Sequence, residues 1–529
     1  MTASEQLAQF AAGSKALPKL CREYKKESAT VHLKELVGGA LSFYAAAAVA
    51  KTGGVHIFVA EDRDAAAYLL NDFYNLLDEK QVYFFPSSYK RSAAYGAEDA
   101  QGVVQRTAAM NAVRGFTKGY LVVCTYPEAL AERVVDAATL QRDTIAVKLG
   151  DKISIAVLED ALADANFTRV DFVYEPGQSS VRGGIVDVFS YSESKPYRID
   201  FFGDEVDSIR RFNISSQLSA DKLDRVEIVP NLNAGEAPRV SFVQFAGSGA
   251  TCWFYDADYV LRRVNDLRRK VLADMEEPGQ IDRLLTSRNV LLRDMAGNSV
   301  VALRDNLPER PATVAVVFDT APQPKFNKNF EMLADDMIRN SLRGYATYIL
   351  SENKVQVERL ENIFHQIGRG QAAVRSLSVT LHEGFVDNDL KLCLYTDHQI
   401  FDRYQRYRIN GEIRRDEQMT VAELNQLRPG DYVVHIDHGV GRFDGLVKIN
   451  ENGKVHEAIK LVYKDGDVLF VNVHSLHRIS RYKSGDGEPP KVYKLGNGAW
   501  QKLKNAAKKA VKDISRELIA LYAKRKASK

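Results

Sequence analysis

The chain has 529 residues, with 72 Lys and Arg residues against 69 Asp and Glu residues, for a formal net charge of +3. That length exceeds what one hydrophobic core supports, so we expect roughly three to five domains. Hydrophobic residues make up 45% of the chain and charged residues 27%, a composition that excludes a wholly disordered protein.

The first predicted block, residues 1–140, alternates short apolar runs with helical patterns. Strands are expected at residues 55–60, 82–85 and 120–125, and helices at 64–77, 100–113 and 127–135. This alternation predicts a parallel sheet covered by helices, a fold that binds ligands at the carboxyl ends of its strands.

A two-glycine turn is the candidate phosphate loop of this block. Gly38, Gly39 and Ser42 come before an Ala-rich helix predicted at residues 44–50. The Gly-Lys-Ser/Thr signature is missing, and with it the lysine that would reach the β- and γ-phosphates of a nucleotide. We therefore expect a degenerate phosphate loop, and no catalytic residue or cofactor in this chain.

The second block, residues 141–212, is rich in strands. The runs at residues 185–189 and 197–202 are β-branched or aromatic. Arg182 and Arg198 lie beside these apolar residues. They are either solvated arginines of a strand edge or anchors of a protein-binding face, because Arg and aromatic residues are enriched at interfaces.

The next two blocks carry no pattern of catalytic residues. In residues 213–310 we expect a helix at 259–271 and strands near 290–292 and 300–303. Acids around this helix are expected to be solvated: Asp256, Asp258, Asp266 and Asp274.

The pattern of residues 311–413 predicts a second small α/β unit. Strands are expected at 313–318, 345–350 and 390–395, and helices at 330–342 and 354–367. A polar linker is expected at residues 414–425.

The fifth block, residues 426–497, is predicted to be all-β. Strands are expected at residues 432–436, 445–449, 455–462 and 468–473. The dipeptides Asn452-Gly453 and Asp465-Gly466 favour tight hairpin turns between them. Short strands joined in this way predict a small barrel of the SH3 or Tudor kind.

The histidines of this block raise the question of a metal site. His435, Asp437 and His438 lie close together in the sequence, and His474 and His477 follow. His and Asp side chains are common zinc ligands. However, the first group straddles a glycine turn and has no metalloprotease spacing, so we expect hydrogen-bonding histidines and no metal.

The basic end of the chain, residues 498–529, is predicted to be one long helix. It holds ten Lys and Arg residues and two acids, a net charge of +8, so the other 497 residues sum to −5. Apolar residues recur at three- and four-residue steps from Trp500 to Leu521. The helix is either a solvated surface helix or one whose lysines face DNA phosphates.

Cysteine usage and the N-terminus indicate a cytoplasmic protein. Cys21, Cys124, Cys252 and Cys393 are far apart, which favours neither a disulfide framework nor a cysteine zinc site. No basic region followed by an apolar run is present at the start, and no apolar stretch is long enough to span a bilayer.

Residues 174–210 resemble the UvrB-homology part of the bacterial transcription-repair coupling factor, Mfd. The resemblance lies in Gly-Gln-x-x-Val-Arg-Gly, which ends at Gly183, and in Phe-Phe-Gly-Asp-Glu-Val-Asp-Ser-Ile-Arg, which starts at Phe201. It implies that block two is an inserted domain that docks the repair protein UvrA through Arg182, Arg198 and Phe202. It also implies that residues 1–140 and 213–310 are two parts of a UvrB-like α/β domain without its phosphate loop.

Residues 428–443, from Arg-Pro-Gly-Asp to His-Gly-Val-Gly-Arg-Phe, resemble the RNA-polymerase-interacting domain of the same family, a fold shared with CarD-type regulators. UvrB has no such domain, so this motif separates the two families. The resemblance implies that strand addition to the polymerase β subunit involves Leu446, Val447, Lys448 and Ile449. The alternative for Leu446 and Ile449 is that they are barrel core.

The resemblance covers the amino-terminal half of the family protein and makes residues 498–529 its relay helix. The ATP-driven translocase motor, with its ATP, magnesium and main contact to double-stranded DNA, is expected outside this sequence. Whether the chain is a piece or an incomplete gene product is left open by its composition. The predicted fold is a multidomain α/β protein: a degenerate P-loop-type parallel sheet with an inserted α+β domain, a second small α/β domain, an SH3/Tudor-like β-barrel and a long C-terminal helix.

The predicted function is docking in transcription-coupled nucleotide excision DNA repair, linking RNA polymerase stalled at lesions to UvrA. Two alternatives stay open. One is an ATP-dependent DNA enzyme with its nucleotide site in block one, which the missing lysine disfavours. The other is a stand-alone CarD-like transcription regulator that binds polymerase and DNA through the barrel and the basic helix.

Overall fold

The structure is a computed structural model. It describes residues 2–89, 99–171, 173, 175–213, 219–233, 237–275, 278–403, 405, 407–409, 427–435, 437–451, 454–472, 478–482, 490, 492, 494–495 and 500. The predicted linker at 414–425 and, apart from Trp500, the predicted helix at 498–529 lie outside the described residues. The chain divides into two compact units, Met1–Glu412 and Ile413–Lys529.

The strands and helices of the described residues follow in chain order. The strands are β1 (Thr30–Lys34), β2 (Gly54–Val59), β3 (Val82–Phe84), β4 (Tyr120–Thr125), β5 (Val134–Val135), β6 (Ile145–Lys148), β7 (Thr168–Arg169), β8 (Gln178–Arg182), β9 (Ile185–Val188), β10 (Tyr197–Phe202), β11 (Glu205–Phe212), β12 (Ser219–Leu223), β13 (Arg225–Ile228), β14 (Arg239–Val240), β15 (Thr251–Phe254), β16 (Ser299–Ala302), β17 (Val314–Val317), β18 (Thr320–Pro322), β19 (Ala346–Leu350), β20 (Ser376–Leu377), β21 (Phe385–Asp387), β22 (Leu392–Thr396), β23 (Tyr432–His435), β24 (Gly439–Glu451), β25 (Lys454–Val462), β26 (Val468–Asn472) and β27 (Ile479–Arg481). The α-helices are α1 (Ala3–Ala12), α2 (Ala16–Tyr24), α3 (Ala40–Thr52), α4 (Arg63–Leu76), α5 (Ala100–Arg114), α6 (Pro127–Ala131), α7 (Ala137–Asp143), α8 (Ile155–Asp164), α9 (Phe242–Ala246), α10 (Ala257–Asp274), α11 (Ile281–Leu284), α12 (Arg288–Asp294), α13 (Phe330–Leu342), α14 (Lys354–Gln366) and α15 (Asp397–Ile400).

The parallel sheet predicted for block one is present. Its described strands run in the order β17-β1-β16-β15-β2-β4-β3, and every neighbouring pair is parallel. Strands β2 and β15 are nearly continuous apolar runs, as expected of strands covered on both faces. At its centre Trp253 is 3% exposed and stacks on Phe58 with ring centroids 4.9 Å apart.

Three predictions for this region are wrong. The helix predicted at residues 127–135 covers only Pro127–Ala131, and Val134–Val135 form β5, which pairs with β14. Residues 290–292, predicted as a strand, lie in helix α12, whose first turn is capped by the Ser287 side chain. The sequence predicts the strand near residues 313–318 as part of the second α/β unit, but β17 pairs in parallel with β1 and forms an edge of the first sheet. A short apolar run does not by itself specify helix or strand, or the sheet it joins.

The second block is a twisted sheet backed by a helix. Its described strands run in the order β12-β11-β10-β9-β8-β7, antiparallel except for the β7–β8 pair. One face packs Val186, Ile199 and Ile209 against Leu158 and Leu162 of α8. The sheet continues through β12, past the predicted boundary at residue 212, because β12 forms a hairpin with β11.

A second small α/β unit follows, with described strand order β18-β21-β22-β19-β20 and helices α13 and α14. One face of its sheet packs on a core that includes Phe326, Leu333, Phe364 and Tyr395. The other face contributes Leu350, Phe385, Leu392 and Leu394 to the core of the first sheet. The predicted helices at 330–342 and 354–367 agree with the structure to within one residue.

The unit at residues 413–529 contains an antiparallel sheet. Its described strands run in the order β26-β25-β24-β23-β27, around a core that includes Val433, Phe443, Leu461 and Tyr463. Three predicted strands are confirmed to within one residue, whereas the strand predicted at 445–449 is longer and runs from Gly439 to Glu451. The Asn452-Gly453 turn lies outside the described residues. Within the described parts of the chain, no helix combines the length and apolarity needed to cross a membrane.

Candidate functional site

The candidate phosphate loop is filled by another segment of the chain. Gly38 has φ +57°, which favours glycine, and Gly39 begins helix α3 without a side-chain cap. A Cβ added at Gly39 would overlap the main-chain carbonyl oxygen of Glu383. At Gly38, a Cβ would lie 3.0 Å from the carbonyl oxygen of Gly384 and 3.4 Å from a carboxylate oxygen of Glu383. Main-chain and carboxylate oxygens therefore lie where a phosphate would approach this helix.

Ser42, the third candidate loop residue, is buried in a hydrogen-bond network. Its hydroxyl lies 2.7 Å from Oδ2 of Asp72, and the main-chain N–H of His382 donates to Oδ1 of the same carboxylate at 2.7 Å. Burial raises the pKa of Asp72 to about 7, and burial also raises the pKa of Glu383. The His382 ring stacks on Tyr68 with centroids 3.7 Å apart. These contacts join helix α4 to residues 381–384 and leave the loop as a packing surface.

A charged surface, here called the arginine face, lies on the side of the second sheet opposite α8. We define it as Arg182, Asp187, Arg198 and Phe202. Antiparallel register places Arg198 opposite Asp187, and Arg182 lies two residues beyond Ser180, which is also opposite Asp187. Opposed residues share a face of a sheet, so β8, β9 and β10 bring these side chains together.

One buried carboxylate connects the two arginines. Asp187 is 1% exposed. Arg198 donates to it from Nε at 2.7 Å and from Nη2 at 2.9 Å, and Arg182 donates from Nη2 to Oδ2. The hydrogen bonds to Asp187 raise the pKa of Arg198 despite its partial burial. The guanidinium of Arg198 also lies over the Phe212 ring, 4.3 Å from its centroid.

Phe202 differs from these arginines in its exposure. It ends β10, and its side chain is 83% exposed, whereas the side chains of Arg182 and Arg198 are 32% and 16% exposed. A neighbouring group on the same face, Asp200 with Arg210 and Ser208, forms its own ion pair and hydrogen bond. The arginines are thus held by a buried network and are not loosely solvated, while the phenylalanine projects from the surface.

The residues predicted to bind polymerase lie in the second half of β24. This strand pairs with β23 only as far as Arg442, and its residues from Leu446 onward pair with β25. Among the described residues, no strand pairs with this stretch on the other side. Leu446 is 45% exposed and is not core, whereas Val447 and Ile449 are half-buried. The side chain of Lys448 lies outside the described part of the chain.

The His-Gly-Val-Gly turn before this stretch provides space for two aromatic rings. Gly439 has φ +77°, and a Cβ there would lie 2.7 Å from the indole of Trp500. A Cβ at Gly441 would lie 2.9 Å from the Tyr463 ring, which is buried. Any other residue would displace these rings, which explains both glycines.

The histidines next to this turn make ordinary contacts. The main-chain N–H of Asp437 donates to Nδ1 of His435 at 3.1 Å, and Asp437 pairs with Arg478 at 2.6 Å. Within the described residues, no group of three His, Cys, Asp or Glu side chains is arranged to hold a metal ion. His474 and His477 lie outside those residues.

The acids around α10 have structural partners. Asp256 caps the helix by accepting from the N–H of Tyr259 at 2.8 Å, and Asp258 pairs with Arg262 and Arg288. Asp266 pairs with Arg269. These acids are therefore helix-cap and ion-pair residues, and the prediction that they are solvated is wrong for Asp256, which is 4% exposed. Asp274 lies in the last position of the helix, and its side chain is outside the described part.

Comparisons with known proteins match the two regions that contain these candidate surfaces. A model of the UvrB interaction domain matches residues 145–233, and a model of the CarD-like/TRCF RID domain matches residues 427–483. The transcription-repair-coupling factor of Bacillus subtilis (strain 168) is 24% identical over 587 residues, covering 94% of this chain and 49% of that protein. That of Escherichia coli (strain K12) is 24% identical over 567 residues, with the same coverage of both chains.

The predicted resemblance to the amino-terminal half of the transcription-repair-coupling factors is confirmed. A third relative, from Staphylococcus haemolyticus (strain JCSC1435), is 25% identical over 543 residues and covers 87% of this chain and 46% of that protein. The chain spans about half the length of the curated relatives it matches. The arginine face lies inside the first matched region, and the residues of β24 from Leu446 to Ile449 lie inside the second.

Sequence reasoning identified the arginines but missed the groups that organise the sites. Asp187 is a lone acid in the apolar strand β9, and a charged residue in such a strand is a signal that it has a partner. Glu383 gave no signal, because it is more than 340 residues from the loop that it fills. The sequence pattern predicts Trp500 as a helix residue and gives no signal of its contact with Gly439.

Proposed function

We propose that this chain is the docking half of a transcription-coupled nucleotide excision repair factor, linking RNA polymerase stalled at DNA lesions to UvrA. The observation that carries the proposal is the occurrence, in one chain, of both matched domains, each with an accessible surface at the residues the resemblance implies. Protein docking at two sites, without chemistry, is the function that these surfaces support.

The arginine face is the proposed UvrA site, with Arg182, Arg198 and Phe202 as its contacts. A partly exposed guanidinium pair beside an exposed aromatic ring has the composition of an interface hot spot. The buried Asp187 holds the two guanidinium groups in place, and the exposed Phe202 ring offers apolar surface for a pocket on UvrA.

The part of β24 from Leu446 onward, which among the described residues has a partner strand on one edge only, is the proposed site for the RNA polymerase β subunit. An accessible strand edge offers main-chain N–H and C=O groups to a strand of another protein, and neighbouring side chains supply specificity. Leu446, Val447, Lys448 and Ile449 are the proposed contacts. We also propose that the antiparallel sheet closes as an SH3/Tudor-like barrel and that residues 498–529 form the relay helix.

ATP-driven translocation on DNA, which displaces polymerase in this family, is proposed to belong to the remainder of the family protein, with its ATP, magnesium and main duplex contact. The filled loop at Gly38 and Gly39 supports the proposal that this chain binds no nucleotide of its own. A micromolar, magnesium-dependent calorimetric signal from ATP with this chain would contradict it.

We also propose that the protein is located in the cytoplasm.

The UvrA proposal is tested by a pull-down of UvrA with this chain, in the absence of nucleotide and DNA. Wild type should capture UvrA, and the double variant Arg182→Ala with Arg198→Ala should lose capture by about a hundredfold or more, since hydrogen bonds to charged groups contribute about 1.5–3 kcal/mol each. Unchanged capture by the double variant would reject the site assignment.

The polymerase proposal is tested by binding of the chain to the polymerase β subunit. Ile449→Arg should weaken binding at least about tenfold, the size of an ordinary interface hot spot. The matched control is Phe470→Arg on β26, a strand at the other edge of the sheet, where the side chain is 49% exposed. Equal binding by wild type and Ile449→Arg would show that this stretch is not the site.

A further inference from the structure

Asp187 occupies an unusual position for a carboxylate. It is 1% exposed, in the central part of a sheet, between strands that each bring an arginine to it. A buried charge is costly unless it is paired and hydrogen-bonded. Here both oxygens accept hydrogen bonds, Oδ1 from Arg198 and Oδ2 from Arg198 and Arg182.

The contacts fix the orientation of Arg198 in particular. Its Nε and Nη2 atoms bind the two oxygens of Asp187 side by side, and the ring of Phe212 lies against the plane of the guanidinium. Arg182 is held at a second point, because its Nη1 lies 3.3 Å from the main-chain oxygen of Asp171. A long side chain that is held in one geometry before binding loses less rotamer entropy when the partner arrives.

We infer that Asp187 is a positioning residue of the arginine face, which orients Arg182 and Arg198 together for capture of the partner without touching the partner itself. This inference rests on the proposed function. Its consequence is that the two arginines act as one preorganised unit, so that the geometry of the carboxylate matters as much as the charges of the arginines.

The first test is Asp187→Asn, a change of nearly equal shape that removes the charge. We expect UvrA capture to fall about tenfold, although every proposed contact residue is still present. The matched control is Asp200→Asn, which alters the neighbouring pair with Arg210 on the same face and should leave capture within about twofold. Thermal unfolding of both variants shows whether the fold is retained.

A second variant keeps the inference testable if Asp187→Asn does not fold. Arg198→Lys retains the positive charge but cannot make the two-pronged contact, so it should also lose about tenfold in capture. Arg210→Lys is its control. In a double-variant cycle, Asp187→Asn should add little to the loss caused by Arg198→Lys, whereas Phe202→Ala should add its full effect.

The outcomes separate the inference from the proposed function. If wild type captures UvrA and the double arginine variant does not, but Asp187→Asn and Arg198→Lys both bind within twofold of wild type, the inference is overturned and the UvrA site remains. A crystal structure of Asp187→Asn gives a readout that needs no UvrA. Altered orientations of Arg182 and Arg198 would support the positioning role, and unchanged orientations would overturn it.

Discussion

The loop at Gly38 and Gly39 and the arginine face differ in accessibility, although the sequence marks both as candidate binding sites. The loop is closed by main-chain atoms of Glu383 and Gly384, whereas the arginine face leaves Phe202 83% exposed. One candidate site is a packing contact and the other is accessible. The difference teaches that a sequence motif alone does not indicate whether a candidate site is open to a partner.

The largest effect on stability is expected at the closed loop. Gly39→Ala places a Cβ against the main-chain oxygen of Glu383, so we expect the free energy of unfolding to fall by about 3 kcal/mol, because backbone must move to relieve the overlap. Denaturant unfolding measures this loss. Gly249→Ala, where an added Cβ meets open space, is the control and should unfold much like wild type. Equal stability of both variants would contradict the closed loop.

At the open surface the effect should appear in binding and not in stability. Phe202→Ala should weaken UvrA capture by about 2 kcal/mol, as expected for an exposed aromatic hot spot, and should change the free energy of unfolding by less than about 0.5 kcal/mol. Leu342→Ala is a suitable control, since Leu342 is 85% exposed but lies outside the arginine face. A Phe202→Ala variant that captures UvrA as wild type does would remove Phe202 from the site.

The pH dependence of stability should distinguish the buried network from the surface. The pKa of Asp72 is about 7 in the folded chain and about 4 when unfolded, so the folded state binds more protons between these values. As far as Asp72 is concerned, the free energy of unfolding is therefore highest below pH 4, where the carboxyl is protonated in both states. It declines as the pH rises from about 4 through about 7. Asp72→Asn should remove this part of the decline, at most about 1.4 kcal/mol per pH unit for one proton.

Glu383 and Asp387, whose pKa values are also raised by burial, should leave a smaller decline in the Asp72→Asn variant. Unfolding curves of both proteins at several pH values measure the difference. Parallel pH profiles for wild type and Asp72→Asn would show that Asp72 does not titrate in this range.

Salt should produce the smallest difference between the two regions. Raising the ionic strength from about 0.05 M to 0.5 M shortens the screening length, so UvrA capture through partly exposed arginines should weaken several-fold. The loop contacts are buried and involve main-chain oxygens, so the stability loss of Gly39→Ala should hardly change. Capture that does not respond to salt would indicate that Phe202, and not the arginine pair, dominates binding.

The sequence predicted the regular elements well where the pattern was long. Residues 120–125 and 330–342 agree with β4 and α13 without correction, because each has a clear period and a defined end. It failed at residues 290–292, where three apolar residues fit a helix as well as a strand. The membership of β17 in the first sheet depends on pairing with β1, more than 280 residues away, which no local pattern reports.

The candidate sites were predictable to different degrees. Arg182, Arg198 and Phe202 came from a motif, and β-strand alternation is enough to place Arg198 and Phe202 on one face. That both arginines share a single carboxylate depends on the register of three strands, which only the structure provides. The closing of the loop by Glu383 is a contact between distant segments and had no counterpart in the sequence pattern.

The contact between Trp500 and Gly439 has a practical consequence for optical measurements. The chain has two tryptophans, and each compact unit contains one: Trp253 in the core of the first and Trp500 beside the glycine turn of the second. In a Trp253→Phe chain, the remaining tryptophan fluorescence would come from the indole beside Gly439, in the same unit as the stretch of β24 proposed to meet polymerase. Each unit thus holds one tryptophan, so the unfolding of the two units can be followed separately without an attached dye.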